Sequence, residues 1–178
     1  MKPIFALFAL SLASGSAMAN TGIINFEGTV TAGGTCPIDV VTPGGPSKSL
    51  IYLGDFKDKD FTTVGQKTPI QRFGLRHDPS KCPVTPGQKA FVKFSANYGA
   101  GPSDLYQLQS GVGYSEGMAL AILDKSNSVL APDTESVGYD LSDRLTTDMN
   151  FTTYLQTIDA TVTEGQIATS VNFTVDIR

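Results

Sequence analysis

The sequence predicts an all-β protein, a sandwich of short strands, on three observations. From Asn20 onward the dominant hydrophobic period is two, in short runs broken by Gly, Pro, Asn and Asp. No segment sustains the 3.6-residue period of a capped amphipathic helix. The C-terminus alternates without a break: Ile177, Val175, Phe173, Val171, Thr169, Ile167 and Gly165 on one face, Arg178, Asp176, Thr174, Asn172, Ser170 and Ala168 on the other. Such alternation describes a strand with one face on the core and one on solvent. Many short strands with turn residues between them indicate two packed sheets.

In chain order, Ile24 to Val30 comes first and alternates apolar and polar residues. Gly33-Gly34 and Thr42-Pro43-Gly44-Gly45-Pro46 punctuate the next stretch as turns or loops. Leu50 to Leu53 is a strand, followed by the polar stretch Asp55 to Asp60. Phe73 and Leu75 belong to another short strand, which Asp78-Pro79 and Pro83 end around Cys82. Ala90 to Phe94 and Met118 to Leu123 are strands separated by Tyr98 to Ser115, a Gly-, Ser- and Tyr-rich loop or irregular hairpin. Phe151 to Ile158 is rich in β-branched and aromatic residues, which suit a pleated surface. A terminal strand left at a sheet edge is an aggregation hazard unless something pairs with it.

Composition narrows the function. The 178 residues suit one domain with its own core. The net charge of −4, with Lys and Arg scattered, argues against a nucleic-acid footprint. A single histidine, His77, excludes multi-histidine metal sites and weakens most acid–base mechanisms. Residues 1–19 read as a signal peptide: Lys2, the apolar stretch Ile4 to Leu12, then the small-residue exit Ala17-Met18-Ala19. Ala13 and Gly15 form a second, weaker exit. The apolar stretch is far short of the roughly 20 residues a spanning helix needs. In an exported chain Cys36 and Cys82 are expected to form a disulfide, closing a loop of about 46 residues worth about 4 kcal/mol. A redox pair would more often stand at C-x-x-C spacing.

Several pieces together resemble one family, the subunits of chaperone–usher fimbriae of the type 1 and P pilus kind. Phe26-Glu27-Gly28-Thr29-Val30 followed by Cys36 resembles the family's F-x-G-x-V and cysteine opening. Tyr52-Leu53-Gly54, Phe61, Gly65, Pro69, Phe73, Leu75 and Cys82 are similar to its stretch between the cysteines, and Gly111-Val112-Gly113 to its middle. Gly165, fourteenth from the end, stands where the family's terminal zipper places a glycine. The family often has an aromatic residue next to last, where this chain has Ile177.

The resemblance implies an incomplete immunoglobulin-like sandwich, a pilin domain over residues 31–178, completed by a donor strand from another subunit. A periplasmic chaperone lends the missing strand first; in the fibre, a neighbour's N-terminal extension replaces it. Main-chain hydrogen bonds then supply affinity and side-chain pockets specificity. Carried over, residues 20–30 are the extension, with Ile24, Phe26 and Gly28 in the donor strand. Gly165, Ile167, Val171, Phe173, Val175 and Ile177 line the acceptor groove that chaperone and neighbour both use. The implied partners are that chaperone, an outer-membrane usher and neighbouring fimbrial subunits, with no nucleic acid, cofactor or metal. The implied location is a cell-surface fimbrium reached through the periplasm. Only Asn20 to Ile23 precede Ile24, a short extension that fits either a main structural subunit or a minor one (adaptor, terminator or single-domain adhesin). A self-complete secreted binding module is the rival from another class.

Other motifs carry less. Gly113-Tyr114-Ser115-Glu116-Gly117 matches the hydrolase G-x-S-x-G, which needs a strand–turn–helix setting and a later histidine; His77 comes earlier. A Gly-rich loop is expected there, and His77 is expected on the surface. Asp55, Asp58 and Asp60 lack calcium-loop spacing and are interleaved with Lys57 and Lys59. Asn150 and Asn172 open glycosylation sequons but read as strand residues. Tyr98, Tyr106 and Tyr114 are the amphipathic rings that carbohydrate recognition could use.

Overall fold

The computed structural model describes residues 36–178 in full and the backbone of one earlier strand. The expected signal peptide lies outside the described residues. Ten strands run in the order β1 (Gly22–Gly28), β2 (Ile38–Val41), β3 (Leu50–Tyr52), β4 (Gln71–His77), β5 (Lys89–Ala96), β6 (Tyr106–Gln107), β7 (Met118–Leu123), β8 (Tyr139–Asp140), β9 (Thr147–Thr157) and β10 (Ile167–Ile177). They form two five-stranded sheets, ordered β3-β1-β10-β5-β8 and β2-β4-β9-β7-β6. The helical pieces among the described residues are two three-residue 3-10 turns, Asp58–Asp60 and Pro102–Asp104.

Alternation decides which faces meet. In β9, Met149, Phe151, Thr153, Leu155 and Thr157 are buried, and in β10 Ile167, Thr169, Val171, Phe173 and Val175. Phe73 of β4 stacks on Phe151 of β9 at 5.4 Å, and across the sandwich Phe94 of β5 meets Phe151 edge-on at 5.1 Å. Tyr139 of β8 closes the group at 5.3 Å from Phe151. Offset and edge-to-face aromatic contacts add about 0.5–1.5 kcal/mol each beyond the area they bury.

β7 breaks the alternation for a visible reason. Met118, Leu120 and Ile122 enter the main core, while Ala119 and Ala121 face a second cluster with Leu105 and Tyr154. The segment around Leu105 covers this side of the sheet, so a continuous apolar run is stable there. The loop expected from Tyr98 to Ser115 thus includes β6 and a covering strap.

Cys36 and Cys82 are joined, with Cα atoms 5.1 Å apart. The bridge ties the approach to β2 to the turn after β4. His77, expected on the surface, is the last residue of β4 and fully buried. Its ring Nε2 lies 2.9 Å from the Cys82 carbonyl and donates to it. The Asp78-Pro79 turn folds back over the strand end, and Cys82 N–H bonds the Asp78 carbonyl at 2.9 Å, which covers the ring.

On the solvent side of the second sheet, Arg76 makes two hydrogen bonds to Asp148, at 2.6 and 2.7 Å. The guanidinium is the main cause holding the Asp148 carboxyl below its ordinary pKa, helped by the Gly44 N–H and opposed by desolvation. A depressed folded pKa stabilises the fold above the unfolded value, near pH 4, and that stability is lost as pH falls through the folded value. Replacing Arg76 with Met is therefore expected to lower stability at pH 7 and to flatten its fall as the pH drops below about 4. Denaturant midpoints across that range check it; an unchanged acid limb counts against the assignment.

Candidate functional site

The last strand is the centre of the site. On one side β10 pairs antiparallel with β5, from Val171 opposite Ala96 to Ile177 opposite Ala90. On the other it pairs with β1, from Gly22 opposite Ile167 to Gly28 opposite Phe173, and this pairing is parallel. β1 also pairs antiparallel with β3, Ile23 to Asn25 opposite Tyr52 to Leu50. β10 and β3 do not pair with each other. They are the two banks of a strand-wide slot, and the N-terminal strand of the same chain lies in it.

The residues expected around this groove take three different places. Ile167, Val171 and Phe173 are opposite β1 in register and at most 3% exposed. Val175 is also buried, and Ile177 half-buried, but both lie past the last β1 pair at Phe173. Between Ile167 and Val171 the inward position holds Thr169, whose hydroxyl donates to the Gln107 carbonyl at 2.9 Å. A buried hydroxyl so satisfied costs the apolar stripe little.

Gly165 does a different job. A Cβ there would lie 2.4 Å from the Tyr114 carbonyl carbon and 2.5 Å from the Ser115 nitrogen, and its φ is +155°. Ser115 N–H donates to the Gln166 carbonyl and Gln166 N–H to that of Gly113, locking two backbones together as β10 begins. Gly165→Ala is expected to destabilise the fold by about 3 kcal/mol, near the upper end of ordinary point mutations. Chemical denaturation measures it; a loss below about 0.5 kcal/mol contradicts the close approach.

Among the donor residues Ile24, Phe26 and Gly28, the backbone stands opposite Thr169, Val171 and Phe173. Sequence reading missed the second bank. Ile51 and Leu53 are buried in the core beside the slot, while Leu50 and Tyr52 are 38% and 45% exposed. The alternation of Leu50 to Leu53 marked the strand, but not what it lay beside.

The remaining motifs resolve by position. Ser115 is buried in the loop that enters β7, with a strand and not a helix after it. Tyr106 is fully buried and inaccessible to a ligand, a correction to its grouping with Tyr98 and Tyr114. Burial pushes its phenol far above the usual range. Tyr98 is 40% exposed and bonds Gln109. Asp58 and Asp60 lie on an exposed 3-10 turn, and among the described residues no cluster of three metal-ligating side chains occurs.

The geometry is that of a two-sheet β-sandwich whose last strand is flanked on one side by the chain's own N-terminal strand. The chain belongs to the fimbrial protein family, whose model matches residues 24–178. It is 31% identical over 175 residues to the probable major fimbrial subunit LpfA of Escherichia coli O157:H7, covering 97% of this chain and 94% of that one. Its fold is similar to a chaperone–usher pilus structure concerned with rod uncoiling (TM-score 0.60, 19% identity, 85% of this chain and 96% of that one). It is also similar to the P pilus rod subunit PapA (TM-score 0.54, 19% identity, 72% and 91%). The fold is the immunoglobulin-like sandwich of these pilins. The chain is thus a structural subunit of a surface fimbria.

Proposed function

We propose that this subunit joins its fibre by strand exchange, with residues 20–30 as the donor and the slot between β10 and β3 as the acceptor. The observation that carries the reading is the slot itself. Its banks belong to the folded domain, whereas the strand within it is linked to the described domain through residues 29–35 alone. A strand held by one connection can leave without dismantling either sheet, and an equivalent strand from a neighbour presents the same backbone donors and acceptors. Before assembly a periplasmic chaperone covers the groove and an outer-membrane usher receives the subunit. Domain limits follow the same logic: a signal peptide over residues 1–19, the extension over 20–30 and the sandwich over 31–178. Ile167, Val171, Phe173, Val175 and Ile177 supply the apolar floor, and Gly165 shapes its entrance.

The parallel pairing adds one requirement. While a chain's own extension fills its slot, no neighbour can enter, so growth requires that strand to be released or kept out. Replacing Ile24 and Phe26 with Asp is expected to abolish fibre growth while the subunit still accumulates with its chaperone, because a carboxylate cannot enter an apolar pocket unpaired. Electron microscopy of the cell surface and recovery of the chaperone-bound subunit check this. Fibres of normal length from the doubly substituted chain exclude this donor segment.

A further inference from the structure

We propose that the solvent face of the second sheet carries a binding pocket for a single acidic sugar, a hydroxyl-rich ring bearing a carboxylate. A cavity of about 290 Å³ lies there, among Arg72 of β4, Asn150 and Thr152 of β9 and the turn after β7. That volume sits at the small end of ligand pockets, which run from about 300 Å³. It suits one ring and not a chain of them.

The charges around it are unequal in a telling way. Two neighbouring cations on this face are already engaged, Arg76 by Asp148 and Lys67 by the ring of Tyr154. Arg72 is exposed and makes no ion pair or side-chain hydrogen bond among the described residues. Lys125 is held in place, its ammonium 2.7 Å from the Gly138 carbonyl and 4.8 Å from the Tyr139 ring centre, yet no carboxylate is bonded to it. The one acid in the lining, Asp124, is turned away from use. Its two oxygens accept from Ser126 N–H and O–H, Ser128 N–H and Val137 N–H, and it is 3% exposed. Those four bonds fix the turn that carries Lys125 and Asn127.

The uncommitted groups define the ligand. A free guanidinium presents a planar fork that matches a carboxylate in two parallel hydrogen bonds. Beside it Asn127, Asn150 and Thr152 form no side-chain hydrogen bonds among the described residues, and each can both donate and accept. Groups of that kind complement hydroxyls, which also do both. Asn127 is held at φ +61°, so its amide is presented from a tight turn. This pocket lies on the sheet that lacks β10, so it stands or falls independently of strand exchange.

The test is titration calorimetry of the mature chain with glucuronate, and with glucose and acetate as the halves of that chemistry. Glucuronate is expected to bind with a dissociation constant on the order of 1 mM, at least about tenfold tighter than glucose or acetate. Arg72→Gln, at an exposed position, is expected to weaken glucuronate at least about tenfold with no change in the thermal midpoint. Asn127→Gly keeps the backbone conformation, removes the amide and is expected to weaken it less. Absence of saturable binding, equal affinity for glucose, equal affinity for acetate, or wild-type affinity in both variants each overturns the proposal.

Discussion

Removal of residues 20–30 is expected to produce a domain that melts far below the chain that begins at Asn20 and regains its stability when those residues are returned as a separate peptide. Ile167, Val171 and Phe173 lie against the strand in the slot, and the ladder from Ile167 to Phe173 loses one of its neighbours when it leaves. Re-exposing one side of such residues, together with unpaired backbone groups, costs on the order of 3–6 kcal/mol. A domain of this size holds about 5–15 kcal/mol in total. The expected fall in midpoint is about 6–24 °C, at about 2–4 °C per kcal/mol. Returned peptide acts by mass action, so the recovered stability should climb with the logarithm of its concentration. In the intact chain the same strand is tethered, and its stabilisation does not depend on concentration. A truncated domain that melts with the full chain, indifferent to peptide, would show that the sandwich is complete without the strand.

The second large effect concerns the cysteines. Replacing Cys36 and Cys82 together by Ser is expected to cost about 4 kcal/mol, the loop-closure term for the 46-residue separation. The loss should be uneven. The turn at Cys82 keeps its bond from the residue 82 N–H to Asp78 and its contact with the ring of His77. Among the described residues Cys36 has no comparable second hold, and β2 beyond it is a four-residue strand at the sheet edge, paired with β4 and, through the Val41–Ser47 bridge, with the turn that follows it. Hydrogen exchange should therefore show β2 opening well before β4 or β9. If the variant and wild type melt together, or β2 stays as protected as β4, the bridge does not hold this corner.

How far the sequence could be read depended on how each signal is encoded. Met118 to Leu123 and the terminal run from Ile167 were legible because burial on a pleated strand writes itself as a pattern in the chain. β2, with Ile38-Asp39-Val40-Val41, was missed because four residues before a Pro-Gly turn are too few to establish a period. β8 is two residues long and shows none. His77 was misplaced because the turn after it advertises a loop, whereas burial comes from that turn folding back. The buried face of β10 was legible, but the place of β3 on the far side of β1 was not. Nothing in Leu50 to Leu53 says which strand lies alongside. The parallel direction of β1 was beyond the sequence altogether. Alternation looks the same whichever way a strand runs, and a segment that suits a neighbour's slot suits its own.

The disulfide has a mechanical meaning in any fibre whose subunits are joined through their N-terminal extensions. Tension along such a fibre enters each subunit from the side of the extension and reaches Cys36 before any strand of the sandwich after it. Without the bridge the next structure in line is edge strand β2, whose few backbone bonds to β4 could be opened from the end, one after another. With it, part of the load crosses a covalent bond to Cys82 and reaches the end of β4, which is zipped along seven residues to β9 in the middle of the sheet. Pulling then shears many bonds at once instead of peeling a few. Such a subunit can be pulled from its N-terminal side while the sandwich behind the bridge stays shut.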